Sequence, residues 1–286
     1  MPKRNWLLSL LAIAGTWQGL ALPATSQALL PYNLELDNPT LETQGLILLQ
    51  DAVQLLRFEQ YDLALPRVKL ATQLAPQEFR TWFLLGSLYV QDEKVAEGIE
   101  VLERALNLIP VEAADDRPSL LFMLGSAYFQ NEQYLEARQA FTEGLEAEDS
   151  AEAWFDLGNT DYQLRNYREA ITAYRQAIDL EAKFWPAINN IGLVQYEQGQ
   201  LEAAVKQWEK ALEVDEEAAE PLLAIAVARY RQGQVPEALE IAHKALRLDP
   251  SYGDLDFLKL NLWGDRLLTD TSNFFGLPEM QELLAP

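Results

Sequence analysis

A pattern of 34 residues recurs six times along this chain. Periodicity of this length reads as stacked units that share a continuous core, not as one closed globule. The clearest copy covers residues 151–184, AEAWFDLGNTDYQLRNYREAITAYRQAIDLEAKF. Position 8 falls on Ala52, Gly86, Gly125, Gly158, Gly192 and Ala226. Position 20 falls on Ala64, Gly98, Ala137, Ala170, Ala204 and Ala238, and position 27 on Ala71, Ala105, Gly144, Ala177, Ala211 and Ala245. All eighteen sites are Ala or Gly. Pro76, Pro110 and Pro250 recur at position 32, where a ring without an N–H stops a helix. The spacing breaks between the second and third copies, where residues 111–117 make a longer turn.

No stretch shows strand-like alternation, so the chain reads as all-α. The repeat pattern resembles the tetratricopeptide repeat (TPR) superfamily over roughly three-quarters of the length. The resemblance implies a right-handed α-solenoid of about six helix-turn-helix repeats closed by a C-terminal capping helix. Each repeat then holds a helix A and a helix B. The small residues at positions 8 and 20 are expected to face each other between the two helices, and position 27 to meet the next repeat. The expected organisation is residues 1–30 as signal peptide or membrane anchor, 31–43 as linker, 44–252 as the array, and 253–286 as cap and tail.

Charge narrows the choice of partner. The formal net charge is −22, and beyond Lys3 and Arg4 the chain carries 20 basic against 44 acidic residues. Nucleic-acid binding needs basic surface to neutralise phosphates, so it is excluded as the expected role. Acidity favours solubility and basic partners. With no cysteine, a disulfide, a thiol nucleophile and a cysteine zinc site are ruled out. The one histidine, His243, lies beside the small Ala242 and reads as a surface residue. No phosphate loop, metal-ligand cluster or nucleophile elbow appears, so the chain is read as non-enzymatic, with no cofactor and no small-molecule substrate.

The N-terminus differs from the rest. Lys3 and Arg4 precede the apolar run Trp6 to Ala14, and a small-residue stretch, Pro23 to Ala28, follows. That layout is a secretory signal peptide, with cleavage expected after Ser26 or Ala28. Retention as a membrane anchor competes, although 16 residues from Leu7 to Leu22 are short of the roughly 20 needed to span a bilayer. In that case Lys3 and Arg4 stay in the cytosol and the repeats cross the membrane. Either way the chain is expected to be exported or membrane-associated, in the periplasm or at a thylakoid membrane or lumen.

The TPR resemblance implies a groove lined by helix A through positions 2, 5, 9 and 12, which holds a protein or peptide partner. The expected lining is Phe83, Phe122 and Phe155 from position 5, with Asn159, Asn189 and Asn190. Tyr162, Tyr196 and Tyr230 join them from position 12. Aromatic rings dominate binding hot spots, and amides can donate to and accept from a peptide backbone together. Position 5 carries no basic residue, and Arg80 alone offers one at position 2, which argues against a clamp for acidic chaperone tails.

After Pro250 the repeat fails, because position 8 of a seventh copy would be the bulky Leu260. Residues 254–268 keep helical spacing and are expected to form the capping helix, with a short helix over 278–284 after Pro278. The apolar tail (Phe274, Phe275, Leu277, Met280, Leu283 and Leu284) either folds back on the cap or docks a partner. The segment Asn261-Leu-Trp-Gly-Asp-Arg-Leu-Leu-Thr-Asp-Thr271, with the apolar N-terminus and six repeats, resembles a narrower group. This group is the cyanobacterial and plastid membrane-associated TPR proteins that include the interactor of light-dependent protochlorophyllide oxidoreductase. It implies a scaffold for photosynthetic complex assembly or for an enzyme of chlorophyll synthesis. The rival expectation is an exported periplasmic or lumenal assembly factor that binds through its tail and convex face.

Overall fold

The computed structural model describes residues 38–284. Among them are fifteen α-helices, two short 3-10 helices and no strand. Six antiparallel pairs form the array: α1 (Asn38–Arg57) with α2 (Tyr61–Leu74), α3 (Phe79–Gln91) with α4 (Val95–Leu108), α5 (Arg117–Gln130) with α6 (Tyr134–Ala147), α7 (Ala151–Gln163) with α8 (Tyr167–Leu180), α9 (Trp185–Glu197) with α10 (Leu201–Val214), and α11 (Ala219–Arg231) with α12 (Val235–Leu248). The longer turn expected after the second repeat is a 3-10 helix, Val111–Asp116. Helix α1 begins at Asn38, inside the stretch read as linker. The expected signal peptide or anchor lies outside the described residues.

What the small residues do is specific. A methyl group on Gly125, Gly158 or Gly192 would collide with the ring of Phe141, Tyr174 or Trp208, the position-24 residue of the same repeat. Those three rings are completely buried. Position 8 is therefore the floor on which the position-24 side chain lies. The expected pairing of positions 8 and 20 accounts for only part of the contact. In the second repeat Gly98 does face the Gly86 carbonyl, while Gly86 also receives Leu102. Glycine inside a helix costs about 1 kcal/mol against alanine, while burying a large apolar side chain returns about 1.5–3 kcal/mol, so the exchange favours glycine here.

Every A helix ends the same way. The residue at position 15 turns left-handed: Glu59, Glu93, Glu132 and Arg165 have φ near +60°, and Gly199 and Gly233 have φ of 78° and 80°. The next amide reaches five residues back, as in Lys94 N–H to Tyr89 O at 2.9 Å and Gln200 N–H to Gln195 O at 2.9 Å. This is the Schellman closure, which satisfies carbonyls the helix end leaves free. Four side-chain-bearing residues accept a conformation that costs about 1 kcal/mol or more without glycine.

From α1 to α9 successive A helices touch one another, whereas successive B helices do not approach as closely. The A helices thus line the inside of the array's curve, the side the TPR resemblance implies for a groove.

Beyond the array the chain forms α13 (Leu255–Leu260), α14 (Asp265–Phe275) and α15 (Pro278–Leu283). The single capping helix expected over 254–268 is broken. Leu262 turns left-handed at φ 65°, and Trp263 N–H bonds back to Leu258 O, the same closure that ends each A helix. The break redirects the chain so that α14 lies against α9 and α11, on the groove side. The expected short helix after Pro278 is α15.

Candidate protein-binding groove

The position-12 side chains of repeats four to six meet α14 in order. Gly264, just before α14, lies against the Tyr162 hydroxyl, where no side chain would fit. Tyr196 Oη donates to Asp270 Oδ2 at 2.8 Å. The Tyr230 ring lies 5.0 Å from that of Phe274. The C-terminal segment thus runs along the inner stripe from repeat four to repeat six.

Polar contacts fix it there. Glu197, at the end of α9, accepts the backbone N–H groups of Arg266 and Leu267 at 3.2 and 3.0 Å. A carboxylate from another helix thereby satisfies free donors at the start of α14 and complements its dipole. Asp270, buried, also receives the Arg231 guanidinium. Trp263 Nε1 donates to Glu220 Oε1 at 3.0 Å. Burial pushes the Glu220 carboxyl up to about 7, against the hydrogen bonds from Trp263 and Asn189 that favour its charge. Burial, with Asp270 beside it, holds the Tyr196 phenol far above its ordinary range.

Apolar burial adds most of the hold. Leu258, Leu267, Phe274 and Met280 are fully buried against repeat six. Each contributes about 1.5–3 kcal/mol of burial before the entropy of ordering the segment is counted. The tail therefore folds back, and Phe274, Phe275 and Met280 are not a free docking patch.

This closes most of the expected lining. Asn159, Tyr162, Asn189, Asn190 and Tyr196 are buried. The amides serve each other: Asn159 Oδ1 accepts from Tyr174 Oη at 2.8 Å and from Asn190 Nδ2 at 2.9 Å, and Asn189 Nδ2 donates to Asn190 Oδ1. They form a polar layer within the core that no partner reaches. The other four expected residues are half-buried against neighbours. Phe122 covers Gly144, Phe155 packs edge-on to Phe184, Tyr230 meets Phe274, and Phe83 joins the cluster around Ala105 and Leu120.

What stays open is a cavity of about 880 Å³ between the array and the C-terminal segment. One wall comes from repeats two to four, with Val95, Phe129, Tyr134 and Tyr162; the other is Leu260, Leu262, Gly264 and Leu268. Phe129 and Tyr134 pack edge to face at 5.4 Å. Leu260 is 82% exposed. Phe129 carried a signal, as the position-12 residue of repeat three. Leu260 carried another, as the residue too bulky for a seventh repeat. Tyr134 had none.

The sequence matches family models described as "Tetratricopeptide repeat" over residues 51–118 and 122–187, and "TPR repeat" over 192–233. The chain belongs to the tetratricopeptide repeat family, whose arrays serve protein–protein interaction. Among solved structures, a MamA protein is 25% identical over 62% of this chain and 94% of its own, with a TM-score of 0.54. YrrB, described as a TPR protein with an unusual peptide-binding site, is 18% identical over 72% of this chain and 97% of its own, at 0.51. The Cut9–Hcn1 assembly of the APC/C aligns at 0.58 with 16% identity, over 89% of this chain and half of the other. No curated protein matches the chain.

Proposed function

We propose that this protein is a non-enzymatic scaffold that holds a protein partner in the stretch of groove its C-terminal segment leaves open, at repeats two to four. The observation that carries this reading is the open cavity itself. Large apolar side chains, Phe129, Tyr134 and Leu260, line a recess that none of the described residues fills. A photo-crosslinking residue in place of Tyr134 should trap the partner in the native host. The same residue at Tyr167, deeper in repeat four, should trap it less, and one on the outer face at Glu202 not at all. Equal trapping at all three sites would sink the groove reading.

The narrower reading places this scaffold at a photosynthetic membrane, where it assists complex assembly or stabilises an enzyme of chlorophyll synthesis. Its support is the tail segment that resembles the membrane-associated group. That segment carries Trp263, Gly264 and Asp270, the residues that dock into the groove. Co-purification of the full chain from native membranes, followed by mass spectrometry, tests it: enrichment of no pigment-synthesis or photosystem protein would overturn it. Export or anchoring through residues 1–30 is part of the same proposal. N-terminal sequencing of the mature protein, with protease protection of sealed vesicles, checks both cleavage and side.

A further inference from the structure

We infer that the open cavity is a composite site for a basic segment of a partner, one whose lysines or arginines alternate with bulky apolar residues. This rests on the groove reading above and adds the chemistry of the occupant. One wall is supplied by the chain's own C-terminal segment, so the site exists only when that segment is docked.

Three observations carry the inference. The first is charge. Glu93 and Glu132 project from the turns of repeats two and three, and Asp256 from α13; all three line the cavity, are exposed and take part in no ion pair among the described residues. The other lining charges are committed, since Arg165 pairs with Asp265 and Glu197 caps α14. Lys259 is the one lining cation left over, so the unpaired rim is acidic. A groove with low-dielectric walls and one sign of charge concentrates the opposite sign. The second is the floor, where Phe129, Tyr134 and the protruding Leu260 offer apolar contact between the acids. The third is Tyr162, a residue 7% exposed whose hydroxyl is buried beside Gly264 with no partner among the described residues. A buried hydroxyl left unpaired costs about 1–3 kcal/mol, and a carbonyl of an entering segment is the acceptor it lacks.

The arrangement has an internal comparison. Along the same edge, at repeats four and five, the chain's own Asp265 meets Arg165, and Arg266 lies beside Gly199. Where repeats two and three continue that edge, glutamates stand at the equivalent turn position with no cation paired to them among the described residues.

The test uses the full chain and a short fluorescein-labelled peptide of alternating lysine and leucine. A glutamate–leucine peptide of the same pattern is the control. Fluorescence anisotropy is expected to show binding of the first only, weakening as salt rises. Glu93→Lys/Glu132→Lys and, separately, Leu260→Ser should each weaken binding about ten-fold, since all three side chains are exposed and the fold tolerates their change. Glu202→Lys/Glu213→Lys, with the same charge change on α10 away from the cavity, should leave binding unchanged. Tyr162→Phe should also weaken binding while leaving Tm level or higher. Equal loss in the α10 variant would reduce the effect to net charge and overturn the inference. So would binding of the acidic peptide, or no binding at all. If the basic peptide fails while crosslinking at Tyr134 still traps a partner, the groove reading stands and this partner class falls. If both fail, both fall.

Discussion

Trp208 needs its whole ring under cover, and Gly192 is the residue that makes room. Gly192→Ala inserts a methyl group into the indole, and Gly158→Ala does the same to Tyr174. Each is expected to destabilise the array by about 1–3 kcal/mol despite alanine's better helix propensity. Urea unfolding reads this directly; a neutral or stabilising result would mean the rings have room to shift. Glu220 offers a second test at this scale. Its folded value, about 7, lies above the ordinary 4.5, so between these limits the folded chain binds more protons than the unfolded one. Stability is then greatest below about pH 4.5 for this group and falls as pH rises through 7. The amplitude is about 3 kcal/mol at most. Asp156, raised to about 6 by burial, adds in the same direction. Glu220→Gln keeps an acceptor for Trp263 and should flatten much of that slope in thermal melts from pH 5 to pH 8. An unchanged slope would place the effect elsewhere.

At the scale of elements, α14 is held by donors and acceptors from other helices. Its first turn relies on Glu197, so Glu197→Ala should weaken docking by about 1 kcal/mol. Amide exchange should then quicken in α14 while α3 to α6 keep their protection. Exchange that rises evenly over the chain would contradict a locally docked element. The pairing of helices was legible because the small residues keep a strict period. The docking of α14 was not. Its partners lie far away in sequence, as with Glu197 to Leu267 or Tyr196 to Asp270, and no period links them. Leu262 shows the same limit. A left-handed leucine breaks a stretch that keeps helical spacing throughout, and spacing alone carries no trace of the turn.

At the largest scale, the described residues divide the groove into two stretches: the chain's own C-terminal segment occupies repeats four to six, and a cavity remains at repeats two to four. The sequence pointed to one face of the array, and at repeats four to six the structure shows that face covered by the chain's own C-terminal segment. The stripe of position-12 aromatics reads identically whether a partner or the chain's own tail lies on it. Only Leu260, misfit in the repeat, marked where the free end begins. Substituting Tyr162 and Asn159 by alanine together is accordingly expected to lower Tm, because Asn159 accepts two buried hydrogen bonds. A variant that lost a partner with Tm unchanged would restore the amide-lined groove as the binding surface.

The segment that closes repeats four to six is synthesised after the repeats it covers. It follows them out of the ribosome, so those repeats can pair before it arrives. Through that interval Tyr196, Tyr230 and Leu223 stand uncovered on a nascent chain. A truncated product that stops before Asp265 would carry that bare surface permanently, and a protease or chaperone that recognises exposed apolar faces could tell it from the finished protein.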